Sequence, residues 1–127
     1  MWFSKAIEDK RAAQLLLAQN SEIFFGAVVF HSQQAAEKSI KGYLAFNKIR
    51  FSKTHDLDTL INLISQIDAS LAIQLKPAVV LTKFATAYRY PEEVEPPEPL
   101  TLHSCQKTLD LANMVFDEMQ SRVTKEP

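Results

Sequence analysis

Residues 22–47 read EIFFGAVVFHSQQAAEKSIKGYLAFN, and this stretch decides the fold. Its first half, from Ile23 to Phe30, is apolar all round, whereas its second half narrows to a stripe of Ala36, Ile40, Tyr43 and Leu44. Spacings of three and four along that stripe fit a helix, because side chains one turn apart share a face. The β-branched and aromatic run at 23–30 would suit a buried strand too. Strong helix formers follow it without a break, however, and no partner strand stands elsewhere in the chain. A helix apolar all round at one end and amphipathic at the other is the central element of a bundle.

The flanking segments support this. Residues 2–19 alternate Trp2, Ile7, Ala12, Leu15, Leu16 and Ala18 with Lys5, Asp9, Lys10 and Gln14, the pattern of an amphipathic first helix. Asn20-Ser21 breaks it, with Ser21 as the N-cap of the second. A third helix is expected from Leu57 to Ile67, opened by Thr54, Asp56 or Asp58, and a fourth from Leu71 to Tyr88, with Pro77 as a kink or a first turn. Tyr90–Pro99 holds four of the six prolines and four glutamates, so it is a loop. The last helix then runs from Pro99 or Thr101 to Arg122. Two glycines in 127 residues leave little material for the turns of a β-fold. The expected architecture is all-α: one domain over residues 1–127, an antiparallel up-and-down bundle of four to five helices.

Net charge is −1, which gives no global field for a polyanion. Local charge is uneven. Lys38, Lys41, Lys48, Arg50 and Lys53 face only Glu37 and Asp56 between residues 31 and 56, while Glu92, Glu93, Glu95 and Glu98 stand unopposed in the proline loop. Cys105 is the only cysteine, which excludes an intrachain disulfide and suits a small apolar filler. The N-terminal MWFSKAIEDK reaches charge too early for a signal peptide, and no apolar run approaches the ~18 residues of a membrane span. A cytoplasmic protein off the membrane is expected. His103 beside Cys105 lacks further ligands at metal-binding spacing, and no motif points to a cofactor.

The polar residues of the second helix are the main candidates for function. His31, Gln34, Lys38 and Lys41 follow steps of three, four and three along one face, with Gln33 and Glu37 in a neighbouring row. Buried amides and charges need partners, since an unpaired one costs ~1–3 kcal/mol. Two uses are open. Gln33, Glu37, Tyr88 and Arg89 can form a structural polar network, with a Glu37–Arg89 ion pair that makes Arg89→Ala more damaging than Lys41→Ala. Alternatively, His31, Gln34, Lys38 and Lys41 can bind a phosphate or nucleotide.

Three segments carry a resemblance. FHSQQAAEKSIKGYL at 30–44, Thr54-His55-Asp56-Leu57 and Tyr88-Arg89-Tyr90-Pro91 resemble, in that order, landmarks of the HEPN domain family of prokaryotic helical proteins. The resemblance implies a helical bundle that often dimerises, and frequent pairing with a small nucleotidyltransferase of the minimal type. It also implies two classes of member. Some are ribonuclease toxins of toxin–antitoxin pairs, with an Arg, four to six residues and a His forming the site across a dimer; others are RNA-binding, nucleotide-binding or scaffolding modules.

The ribonuclease pattern fails where the family would place it. No histidine follows Arg89 until His103, and the intervening carboxylates repel RNA. A metal-independent ribonuclease needs a base for the 2′-hydroxyl and a cation for the phosphorane. Arg50 and His55 match the spacing literally, but with four Arg and three His such a match arises by chance roughly 0.3 times in a chain of this length. His55 and Asp56 also sit where a helix cap is needed. The expectation is therefore a nucleotide- or partner-binding module, homodimeric through the Phe24-Phe25-Val28-Val29 block. Behind it stand a ribonuclease using Arg50, His55, His31 or Arg89, and a non-catalytic scaffold subunit.

Overall fold

The two ends of the central helix are set by local chemistry. A computed structural model describes residues 1–123, and in it a 3₁₀ turn at Glu22–Phe24 runs directly into the helix Phe25–Phe46 (α2). Beyond Phe46, Lys48 adopts φ 59° while its N–H bonds to the Ala45 carbonyl at 3.0 Å and the Ile49 N–H to Leu44 at 2.9 Å. That pair of bonds is a Schellman closure, and Ile49 packs back onto the core as such closures require. The preceding helix, Trp2–Ala18 (α1), ends similarly at Asn20 with φ 51°.

Side-chain oxygens start the later helices. Asp56 accepts the Asp58 N–H at the head of Leu57–Ser65 (α3), and Asp68 accepts the Leu71 N–H at the head of Ala69–Leu75 (α4). A 3₁₀ turn at Lys76–Val79 follows and leads into Val80–Arg89 (α5). The last helix, Leu102–Val123 (α6), opens with a reciprocal cap: Thr101 Oγ1 accepts the Ser104 N–H at 3.0 Å, and Ser104 Oγ accepts the Thr101 N–H at 2.8 Å.

The expected bundle is thus formed, with one correction. The fourth helix, read as a single unit from Leu71 to Tyr88, is two helices, α4 and α5. Pro77 has no N–H to give and its ring crowds the preceding turn, so the chain tightens to 3₁₀ there and sets off again at Val80.

Helix α2 packs against α1, α3, α5 and α6, which makes it the axis of the bundle. The larger core cluster joins Ile40 and Leu44 of α2 to Leu57, Leu60, Ile61 and Ile64 of α3, Leu71 and Leu75 of α4, and Val115 and Met119 of α6. Each fully buried aliphatic chain contributes about 1.5–3 kcal/mol. A second cluster gathers Ala13, Leu17, Val28, Val29, Phe84, Cys105 and Leu109. Val28 and Val29 are buried inside the monomer with Phe25 packed beside them, while Phe24 is only half-buried and the neighbouring Ile23 is exposed. Among the described residues no helix is long and apolar enough to cross a membrane.

Candidate functional site

Gln33, Glu37, Lys41, Gln34, Lys38 and His31 occupy a sector of about 160° on α2 at 100° per residue. The sector meets α1 on one side and the segment before α3 on the other, and the six residues divide between these two contacts.

On the α1 side, Asp9 is the organising group. Its Oδ2 accepts from Lys38 Nζ at 2.6 Å and its Oδ1 meets His31 Nδ1 at 2.8 Å. Asp9 itself is buried, on the same face of α1 as Ala6, Ala13 and Leu17. Sequence reasoning missed it. A signal existed: Asp9 interrupts an apolar row at helical spacing, and a carboxylate in that position needs a cation from a neighbouring helix.

On the other side, Glu37 is the hub and is only 3% exposed. Lys41 Nζ donates to its Oε2 at 2.9 Å and Gln33 Nε2 to its Oε1 at 2.9 Å. His55 Nδ1 sits 3.0 Å from Oε1 and 3.1 Å from Oε2. The second Gln33 amide bond goes to the His55 carbonyl at 3.0 Å, and Gln34 Nε2 closes the chain onto Gln33 Oε1 at 2.8 Å. Lys41 Nζ lies against both Trp2 and Phe51, 5.7 and 5.8 Å from their ring centroids, and the two rings themselves meet edge to face.

The helix cap before α3 is made by Asp56 and Thr54; Thr54 Oγ1 accepts the Asp56 N–H. His55 has no part in it. Its ring stays 59% exposed, with Nδ1 on Glu37 and Nε2 without a partner among the described residues.

Tyr88 and Arg89 do not join this network, contrary to the expected Glu37–Arg89 pair. Glu37 is already saturated by Lys41, Gln33 and His55. Arg89, at the exposed end of α5, lies instead over the Phe30 ring, 5.1 Å from its centroid, and Tyr88 lies 5.4 Å from the same ring. Arg50 is exposed in the segment between α2 and α3. With Lys38 and Lys41 neutralised, the basic edge reduces to Lys48, Arg50 and Lys53, all exposed. Cys105 is buried, with Sγ directed at the Phe25 carbonyl 3.6 Å away, and burial pushes its thiol up to about 11. His103 is exposed and stands apart from that thiol's interior setting.

The HEPN domain profile matches residues 1–122. The chain belongs to the HEPN domain family. The crystal structure of an archaeal HEPN homologue superposes on it with a TM-score of 0.72, covering 97% of this chain and 95% of that one at 24% identity. That likeness is one of fold. No curated relative matches the chain. In this HEPN domain, residues 31–41 of α2 are therefore the segment that ties α1 and the start of α3 to the central helix.

Proposed function

We propose that this HEPN domain is a non-catalytic protein-binding module and the helical partner of a small nucleotidyltransferase. One observation carries the choice of protein over nucleotide: the two lysines and the histidine of the candidate phosphate row already have carboxylate partners. His31 and Lys38 share Asp9, and Lys41 is held by Glu37. A phosphate would have to displace a buried or nearly buried carboxylate from its ion pair, and breaking such a pair costs about 3–5 kcal/mol. The family supplies the class of partner. The test is to co-express the chain with the small nucleotidyltransferase that this reading expects a neighbouring gene to encode, and to measure the mass of the product by light scattering. A stoichiometric complex supports the reading; two separately eluting proteins overturn it.

A second reading, a metal-independent ribonuclease, is favoured by the geometry of His55 alone. A buried carboxylate on Nδ1 fixes the ring and leaves Nε2 facing outward, the arrangement of an oriented base. Arg50, five residues earlier and exposed, is the cation this reading requires. RNA cleavage lost on both His55→Ala and Arg50→Ala would establish it, and an inactive wild-type protein would remove it.

A further inference from the structure

The segment from Tyr90 to Thr101 closes an apolar groove that neither polar cluster uses. Glu93 and Val94 both direct their N–H groups at the Tyr90 carbonyl, at 3.0 and 2.9 Å, which turns the chain back under the end of α5. Val94 and Pro96 then face inward, and Leu100 packs against the second core cluster. Ser104 Oγ anchors the far end by donating to the Pro99 carbonyl at 3.1 Å. Between this strap and Phe84, Ala87 and Tyr88 of α5 lies a cavity of about 360 Å³, within the size range of small binding sites.

Charge identifies what the groove would take. Glu98 is paired with Lys107 at 3.0 Å, but Glu92, Glu93 and Glu95 are exposed and have no ion pair among the described residues. An apolar groove whose strap carries three carboxylates without an ion pair, each next in sequence to a lining residue, complements an apolar side chain flanked by cations. Four prolines also fix much of the strap in advance, which lowers the ordering cost of binding. The basic stretch Lys48 to Lys53 of a second copy does not supply that ligand, because its Ile49 and Phe51 are packed into its own core.

We infer that this groove docks a Lys/Arg-flanked apolar segment of a partner protein. This deepens the protein-binding reading above and rests on it.

The experiment titrates the ¹⁵N-labelled protein with two synthetic helical peptides that share leucine anchors one turn apart, one flanked by Lys and the other by Glu. The Lys peptide is expected to shift the amide resonances of residues 84–100 and to bind at least about tenfold more tightly than the Glu peptide. Its affinity should fall with added salt. A Glu92→Gln/Glu93→Gln/Glu95→Gln variant, altered only at exposed positions, should keep its melting temperature and lose about tenfold in affinity for the Lys peptide.

Equal binding of the two peptides, shifts that map elsewhere, or an undiminished triple variant overturns the inference. The co-expression experiment separates the two levels. If the nucleotidyltransferase complex forms and the peptide arms fail, the groove assignment falls and the protein-binding reading stands. If the peptide arms succeed and no complex forms, the groove stands and the nucleotidyltransferase reading falls.

Discussion

Glu37 of α2 holds His55, 18 residues later, through both carboxylate oxygens, at 3.0 and 3.1 Å from Nδ1. The contact ties the segment before α3 to the centre of the bundle, and Lys41 completes the charge balance from one turn further along α2. A carboxylate this deeply buried depends on its cation.

Lys41→Ala should therefore destabilise the fold by about 3 kcal/mol, because it strips the buried Glu37 carboxylate of its lysine partner. Arg89→Ala removes only a stacking contact with Phe30 at the surface and should cost about 1 kcal/mol or less. Urea denaturation of the two variants checks the order, which reverses the one drawn from sequence. A larger loss for Arg89→Ala would return Arg89 to the network.

Gly42 is required by close packing. A Cβ there would lie 2.7 Å from the Phe3 ring, which is packed between α2 and Phe116. The gain in helix propensity from Gly to Ala is about 1 kcal/mol, while overpacking costs typically about 1–3. Gly42→Ala should come out net destabilising, by about 1 kcal/mol, in the same denaturation assay. A more stable variant would mean that Phe3 moves aside freely.

Lys48 makes the opposite case. Its φ of 59° places a Cβ-bearing residue in the left-handed region at the end of α2. Lys48→Gly should relieve that conformation and raise stability by about 1 kcal/mol, seen as a melting temperature about 3–5 °C higher. An unchanged or lower melting temperature would show that the Lys48 side chain compensates for its backbone.

Alkaline pH supplies a fourth check. Burial pushes the Cys105 thiol from 9.0 up to about 11, so the unfolded chain loses this proton first. The thiol's contribution is present in full below pH 9.0 and is lost as pH rises through about 11. By pH 10.5 it should have cost about 2 kcal/mol of stability. Tyr43, raised chiefly by burial and further by Asp68, acts in the same direction. The Cys105→Ala variant should show a shallower decline between pH 8.5 and 10.5; an equal slope would place the titration elsewhere.

How much of this was legible in the sequence follows from what sequence spacing encodes. The limits of α1, α2 and α6 could be read to within about three residues, since hydrophobic period, Asn20-Ser21 and the proline loop are all local signals. Pro77 was visible too. Whether it kinks a helix or divides it depends on how α3 and α6 receive the two halves, which is a tertiary matter. In the site, spacing placed Gln33 and Glu37 side by side and Lys41 one turn on. It could not rank cations for Glu37, because Arg89 and Lys41 are equally plausible until the end of α5 is placed beside Phe30. Asp9 went unnoticed as a partner for the same reason: its two contacts lie 22 and 29 residues away.

The central claim is that the polar face of α2 clamps the bundle and has no cation to spare for a phosphate. Thermal unfolding of the wild-type protein with and without millimolar ATP tests it most directly. The structure predicts a shift below about 1 °C with ATP, and a lower melting temperature for Lys38→Ala and Lys41→Ala in its absence. A rise of several degrees with ATP, abolished by either substitution, would contradict the claim and make the same residues a nucleotide site.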